Sequence, residues 1–163
     1  MKTYLIADTH FDDGNILRYE NRPFQSVDEM NEVMMKKWNE VVGSEDVVYH
    51  LGDVGNEQYI KRLNGIKYLV KGNHDTKSNQ VYRDAGFDEV YDMPVIYQKF
   101  WILSHEPLYM NQNMPFANLF GHVHNNPMYR TVSELSYCVS VERMEYRPIL
   151  FDEVKEAIMK LHK

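Results

Sequence analysis

An amide, an imidazole and a carboxylate follow one another directly after an apolar run in the segment KYLVKGNHDT. The run ends at Val70, and Gly72 then leads into Asn73, His74 and Asp75. A turn accounts for the glycine and the asparagine, but it has no need of the histidine and the aspartate behind them. Amide oxygens, imidazoles and carboxylates are ligands for divalent metals, and the last two also transfer protons. The segment therefore indicates a metal or acid–base site at a strand end.

Four other apolar runs end in residues of the same kind. They lead into Asp8 and His10, into Asp53, into His105, and into His122 and His124. In an open α/β sheet, ligands bind outside the carboxyl ends of the strands. We therefore expect one crevice to collect seven nitrogen and oxygen ligands, which are Asp8, His10, Asp53, Asn73, His105, His122 and His124.

Glycines mark the same places in the chain. Gly52, Gly72 and Gly121 each directly precede one of the ligand-type residues. Glycine allows a sharp turn and a close approach of the backbone to a bound group. These turns are what a compact polar site requires.

Seven protein ligands are more than one metal ion takes from a protein, since catalytic zinc uses about three plus water. Two ions need about eight donor positions, so one carboxylate should bridge them, and we assign that role to Asp53 because its strand is central. The set contains no thiolate, which suits Mn, Fe, Co, Ni or Zn in a catalytic site. We expect two divalent ions and favour Mn.

Each motif has an ordinary structural explanation when it is taken alone. Asn73 could be a turn residue, Asp8 and His10 could form a turn with a surface histidine, and His122 and His124 could lie in a solvated loop. Five such accidents at one sheet edge are implausible together. His50 differs, because it lies inside its strand and is expected to have a structural or supporting role.

The other patterns predict the elements that must position these residues. SVDE at 26–29 has the spacing of a capping box, and apolar residues recur behind it at helical spacing up to Gly43. Strands are predicted at 4–7, 47–51, 67–70, 95–98, 100–103, 117–120, 137–141 and 149–151. Helices are predicted at 27–42, 56–63, 78–85 and 152–161, the last capped by Asp152.

Strands alternate with helices early in the chain and crowd together later, which predicts a layered α/β fold whose second half is more antiparallel. The 163 residues make up one ordinary domain. The net charge of −6 weighs against nucleic acid as the main partner. The one cysteine, Cys138, is expected to be buried, and a reducing, cytoplasmic location without membrane attachment is expected.

These motifs resemble those of the calcineurin-like metallophosphoesterase superfamily, in the family's order and over about three quarters of the chain. They are Asp8-x-His10, Gly52-Asp53, Gly72-Asn73-His74-Asp75, His105 and Gly121-His122-x-His124. The segment ADTHFDDGNILRYENRPF also looks like that of small, single-domain bacterial and phage members. The resemblance implies a β-sandwich of mixed sheets flanked by helices, in one domain over 1–163, with ligands at the carboxyl ends of strands.

The resemblance also implies a role for each residue. Asp8, His10 and His124 would bind one metal and Asn73, His105 and His122 the other, with Asp53 shared. His74 would be the catalytic imidazole, and Asp75 would orient or tune it. A hydroxide that bridges the metals would attack phosphorus, so no covalent phosphoenzyme is expected.

Substrate contacts are expected from the segment that follows the first motif. Asn15, Arg18 and Arg22 are candidates, because arginine suits bidentate recognition of phosphate. The alternative is a pair of solvated surface arginines, and the two interpretations stand about even. Glu142 and Arg143 are expected either near the crevice or simply on the surface.

Two classes of function remain open. The first is a phosphoesterase acting on small phosphodiesters or phosphomonoesters, with a slight preference for diesters and with nucleotide pyrophosphohydrolase as a variant. The second is a non-catalytic binding or scaffold protein on the same fold. The complete ligand set and His74 favour the enzyme. Self-association is possible.

Overall fold

The computed structural model describes residues 1–162. In this range the strands are Thr3–Ile6 (β1), Val47–His50 (β2), Ile66–Val70 (β3), Glu89–Tyr91 (β4), Val95–Tyr97 (β5), Trp101–Leu103 (β6), Ala117–Phe120 (β7), Val132–Ser133 (β8), Ser136–Cys138 (β9) and Ile149–Leu150 (β10). The α-helices are Gly14–Tyr19 (α1), Val27–Val41 (α2), Asn79–Ala85 (α3) and Phe151–Lys160 (α4). Short 3-10 helices form at Glu57–Arg62 and Val141–Arg143.

The strands form two five-stranded sheets. The first has the order β10-β1-β2-β3-β4 and is parallel except for the β10–β1 pair. The second has the order β5-β6-β7-β9-β8, with antiparallel pairs at both edges and parallel pairs between them. This confirms the predicted α/β sandwich of mixed sheets and its more antiparallel second half.

Side chains alternate along β1 between two cores, as the two-residue period of a strand requires. Tyr4 and Ile6 pack with α2 and α3 on the outer face of the first sheet. Leu5 and Ala7 pack between the sheets, together with α4. A parallel bridge from Ala7 to Ser140 joins the ends of β1 and β9. The carboxyl ends of strands from both sheets therefore lie along one edge.

Helix α2 begins where the capping motif predicts. The Ser26 hydroxyl accepts a hydrogen bond from the Glu29 backbone N–H at 3.1 Å. The Glu29 carboxylate accepts one from the Gln25 N–H at 2.6 Å. Met30, Met34, Met35 and Trp38 form its buried face, so the methionines fill the core. Cys138 is also buried, as predicted.

Several elements differ from their sequence predictions. Helix α1 and strands β4 and β8 were not predicted, because each is too short to show a clear period. Asp152 does not cap α4. The helix begins at Phe151, Leu150 holds the cap position without a side-chain bond, and Asp152 lies in the first turn 2.9 Å from Lys155. A carboxylate there still complements the helix dipole. None of the helices in residues 1–162 combines the length and apolarity needed to cross a membrane.

We predict that Ile158→Ala lowers the free energy of unfolding by about 2–5 kcal/mol, because it opens a cavity in the core between the sheets. Ile158 is 1% exposed, whereas its neighbour Met159 on the same helix is 58% exposed. Met159→Ala is the matched control and should change stability by less than about 0.5 kcal/mol. Urea denaturation measures both, and equal losses would contradict this placement of α4.

Candidate metal centre

The residues predicted as ligands come together in two groups at the edge where the strands end. Donor atoms of Asp8, His10 and His124 lie within 4.8 Å of one another, and so do those of Asp53, His105 and His122. Asn73 joins the second group, because its Oδ1 lies 2.9 Å from His105 Nε2 and 3.2 Å from His122 Nδ1. The structure thus brings the predicted ligands together in two groups, and the binding of a metal ion by each group stays a prediction.

Asp53 lies between the two groups. Its Oδ2 is 3.5 Å from His10 Nε2 in the first group and 3.3 Å from His105 Nε2 in the second. Its Oδ1 accepts a hydrogen bond from the His74 backbone N–H at 2.9 Å. One carboxylate oxygen is therefore anchored to the backbone, and the other faces both groups.

Asp8 is held in a similar way. Its Oδ2 accepts hydrogen bonds from the Ser140 hydroxyl at 2.6 Å and from the His122 N–H at 2.9 Å. Its Oδ1, and the Nε2 of His10, are buried without a hydrogen-bond partner. Leaving a buried polar atom unpaired costs free energy. A divalent cation between these atoms would supply the missing partner, so the donor set suits a metal.

The backbone at the strand ends is strained in a consistent way. Five of the seven predicted ligands have positive φ although none is glycine, and such residues are uncommon in proteins. They are Asp8 (61°), His10 (47°), Asp53 (57°), His122 (70°) and His124 (49°). Each conformation turns the chain abruptly after a strand and directs a polar side chain into the site. Strain of this kind concentrates at functional sites.

The three glycines are needed for close packing, as their positions in the sequence predict. A Cβ on Gly52 would lie 2.5 Å from the Gly72 nitrogen and 2.6 Å from His105 Nδ1. A Cβ on Gly121 would lie 2.8 Å from Asp8 Oδ2. The loops can approach one another this closely only because these side chains are missing.

Burial and neighbouring charges shift the pKa values of the titratable groups of the site in different directions. Burial opposes ionisation of Asp53, but hydrogen bonds and charge from His105 outweigh it and lower the pKa to about 2. Burial raises the pKa of Asp8 to about 6 and lowers that of His10 to about 4. For His105, burial is outweighed by Asp53 and Asp8, and the pKa rises to about 9. Near neutral pH, Asp53 is therefore a carboxylate and His10 a neutral imidazole with a free lone pair.

His74 and Asp75 differ in exposure. His74 is exposed at the rim, and its ring centre lies 5.7 Å from that of His10. Asp75 is buried, and its carboxylate accepts backbone N–H bonds from Gly72, Asp53 and Val54 at 2.7–3.0 Å. The expectation that Asp75 orients the His74 ring is corrected: its carboxylate ties the loop after β2 to the loop after β3.

The residues expected to contact substrate also differ in exposure. Arg22 is 4% exposed, and its guanidinium donates to the backbone oxygens of Asp8 and Thr9 at 2.6 and 2.9 Å. The prediction that Arg22 contacts substrate is therefore wrong, because its donors are all directed into the protein. Arg18 and Asn15 are exposed on α1 and hydrogen-bond each other at 2.9 Å. Their role in substrate binding stays a prediction.

The sequence analysis did not identify two supports of the site, Ser140 and Thr9. It left the position of a third, Glu142, undecided. Ser140 donates to Asp8, and the Thr9 hydroxyl lies 2.9 Å from His50 Nε2. The ring of His50 is fully buried, burial lowers its pKa to about 3, and Nδ1 accepts from the Gly52 N–H, so the expected supporting role of His50 fits its contacts. Glu142 contacts His124 at 2.9 Å, which places it near the crevice. The sequence signal for these supports was that two polar residues, Ser140 and Glu142, lie at the end of a predicted strand.

Comparison with known proteins agrees with the fold and the motifs. The model of a family described as calcineurin-like phosphoesterase matches residues 1–148. The chain is 33% identical to the uncharacterized protein MJ1445 of Methanocaldococcus jannaschii, over 98% of this chain and 92% of that protein. It is also similar to the crystal structure of AQ665, a protein of unknown function from Aquifex aeolicus, with TM-score 0.72 and 27% identity over 95% of this chain and 98% of that one.

We predict that Gly52→Ala destabilises the protein by at least about 1–2 kcal/mol, because residue 52 has φ +98° and a Cβ there would collide with Gly72 and His105. The same variant should bind Mn²⁺ more weakly. Gly14→Ala is the matched control, since a Cβ at Gly14 meets nothing within 4 Å. Thermal unfolding and calorimetric Mn²⁺ titration measure the two effects, and unchanged Mn²⁺ binding in Gly52→Ala would contradict this account of the loop.

Proposed function

The chain belongs to the calcineurin-like phosphoesterase family, and we propose that it hydrolyses small phosphodiesters with the help of two divalent metal ions, with Mn²⁺ favoured. Asp8, His10 and His124 would hold one ion, and Asn73, His105 and His122 the other. Asp53 would be shared between them. The single-domain organisation, the cytoplasmic location and self-association also stay predictions.

Unpaired donor atoms in the first group give the strongest support for a bound metal. Asp8 Oδ1 and His10 Nε2 are buried without partners, and Asp53 Oδ2 lies between His10 and His105. The other nitrogen of His10 lies 3.5 Å from Asp13, which favours a proton on Nδ1 and a free lone pair on Nε2. Asp8 Oδ1 and His10 Nε2 thus offer lone pairs with no proton donor beside them, which is the arrangement of a cation site.

When bound, such ions would acidify a water molecule and neutralise charge on the phosphoryl oxygens. The chain supplies the rest of the chemistry. Asp53 remains ionised and shares Oδ2 between the two groups. His74 lies at the exposed rim and would donate its ring N–H to the leaving oxygen of the ester. Asp75 keeps the His74 loop in place through its bonds to backbone N–H groups.

The surroundings of the site favour a small diester as substrate. A cavity of about 450 Å³ opens beside the first group and offers space for a second ester substituent; it is lined by Glu20, His122, Val123, His124, Asn125, Asn126, Pro127 and Tyr129. The carboxylate of Glu20 disfavours a polyphosphate chain there, which weighs against nucleotide pyrophosphohydrolase. The overall charge of −6 disfavours long nucleic acids.

We predict Mn²⁺-dependent hydrolysis of bis-p-nitrophenyl phosphate, with slower hydrolysis of the monoester p-nitrophenyl phosphate. Asp53→Asn should abolish turnover and weaken metal binding, because it removes the shared charge. His74→Ala should keep the bound metal and lower kcat by about 10²–10⁴-fold, the usual contribution of a general acid. Chelation should remove activity, and Mn²⁺ should restore it.

Surface variants serve as controls for that assay. Asp152→Asn and His162→Ala change exposed residues of the same types and should leave turnover unchanged. Faster hydrolysis of the monoester would contradict the diester preference alone. Absence of turnover with Mn, Fe, Co, Ni or Zn, although metal is bound, would support the scaffold function instead. Absence of bound metal would contradict the ligand assignment.

A further inference from the structure

A buried ion pair lies directly behind the first group of predicted ligands. The side chains of Arg22 and Glu142 are 0% and 3% exposed. They come from the loop after α1 and from the 3-10 helix after β9, 120 residues apart in the chain. Burying two charges is costly unless geometry and hydrogen bonds compensate. A pair in this position therefore calls for a reason beyond stability.

The contacts of Glu142 point toward His124. Glu142 Oε2 accepts from Arg22 Nε at 3.0 Å and lies 2.9 Å from Arg22 Nη2. The same oxygen lies 2.9 Å from His124 Nδ1. Oε1 has no hydrogen-bond partner, so every contact that orients this carboxylate acts through Oε2. The nearby carboxylate requires a proton on Nδ1 of His124.

Arg22 fixes the other side of the same group. Its guanidinium also donates to the backbone oxygens of Asp8 and Thr9. One arginine thus connects the loop that carries Asp8 and His10 to the carboxylate that holds His124. The arginine therefore contacts both chain segments that supply the first group of predicted ligands.

We propose that Arg22 and Glu142 are positioning residues that hold His124 as the Nδ1–H tautomer and thereby build the first metal position with Asp8 and His10. The inference rests on the metal pair of the proposed function. The hydrogen bond at one ring nitrogen determines which nitrogen is free to bind a metal. With the proton on Nδ1, the lone pair of His124 Nε2 is available to the ion.

Glu142 itself is not assigned as a ligand, although it lies within 4.8 Å of donor atoms of Glu20 and His124. Its oriented oxygen already receives two donors from Arg22, and the fixed positive charge of the guanidinium opposes a cation at that oxygen. We assign its contribution to the metal to the contact between Oε2 and His124.

The second group has a separate support. His105 Nδ1 lies 2.7 Å from the Leu51 backbone oxygen, which requires a proton on that nitrogen, so in the neutral ring the lone pair is on Nε2. Neither Arg22 nor Glu142 contributes to this bond. Loss of the ion pair should therefore weaken the first metal position and spare the second, whereas a general loss of structure would weaken both.

Histidine NMR on ¹⁵N-labelled, metal-free protein tests the tautomer directly. In alkaline buffer, where the ring is neutral, wild-type His124 should carry its proton on Nδ1. Glu142→Leu removes the acceptor and should move the proton to Nε2 in a substantial fraction of molecules. Glu142→Gln should keep the Nδ1–H form, because Arg22 holds the amide oxygen toward the ring. Glu32→Leu, at the exposed ion pair with Arg62, is the control and should not change the signal.

Mn²⁺ titration then separates the two metal positions. We expect wild type, Glu142→Gln and Glu32→Leu to bind two ions per chain. Glu142→Leu should bind one ion normally and the other about 10–100-fold more weakly, as for loss of a supporting partner of a metal-binding histidine. Circular dichroism verifies that each variant folds. If Glu142→Leu does not fold, the His124 tautomer in Glu142→Gln still tests the inference, because an Nε2–H ring in that variant would overturn it.

The outcomes distinguish this inference from the proposed function. An unchanged tautomer with two normal sites in Glu142→Leu, or an Nε2–H tautomer in wild type or Glu142→Gln, would overturn the inference while leaving the metal pair intact. Equal weakening of both metal positions would overturn the claim that the ion pair supports only the first of them. Failure of wild type to bind any metal would instead contradict the proposed function.

Discussion

The convergence of buried polar atoms on Asp53 is the constraint on which the rest of this structure depends. One oxygen of this carboxylate lies within 3.5 Å of imidazole nitrogens from two different loops. Burying polar atoms side by side in this way costs free energy unless each of them finds a partner. The fold holds them together with left-handed backbone at the strand ends, with glycines that allow the loops to touch, and with supports such as Ser140 and Glu142.

Three of those supports share one physical principle, which is that one polar atom of the ligand side chain is occupied by the protein. Asp8 uses Oδ2 for Ser140, Asp53 uses Oδ1 for a backbone N–H, and His124 uses Nδ1 for Glu142. The other polar atom of each of these three side chains is thereby left available to the site. A preorganised donor set of this kind avoids reorganisation when a cation binds.

The ligands could be predicted from the sequence because they follow apolar strands, and strand ends share an edge. The supports could not be predicted equally well, because they depend on contacts between distant parts of the chain. Arg22 meets Glu142 across 120 residues, and arginine is rarely buried unless paired. Asp75 lies next to His74 in sequence, yet its carboxylate turns toward the backbone of another loop. The short strand Glu89–Tyr91 is fixed by pairing with β3 rather than by its own pattern.

Anomalous diffraction from Mn²⁺-soaked crystals tests the central claim most directly. The account predicts two peaks about 3.5–4 Å apart, one beside Asp8, His10 and His124 and one beside Asn73, His105 and His122. Asp53 Oδ2 should contact both ions. A single peak, or two peaks that do not share Asp53, would contradict the dinuclear centre from which the proposed hydrolysis follows.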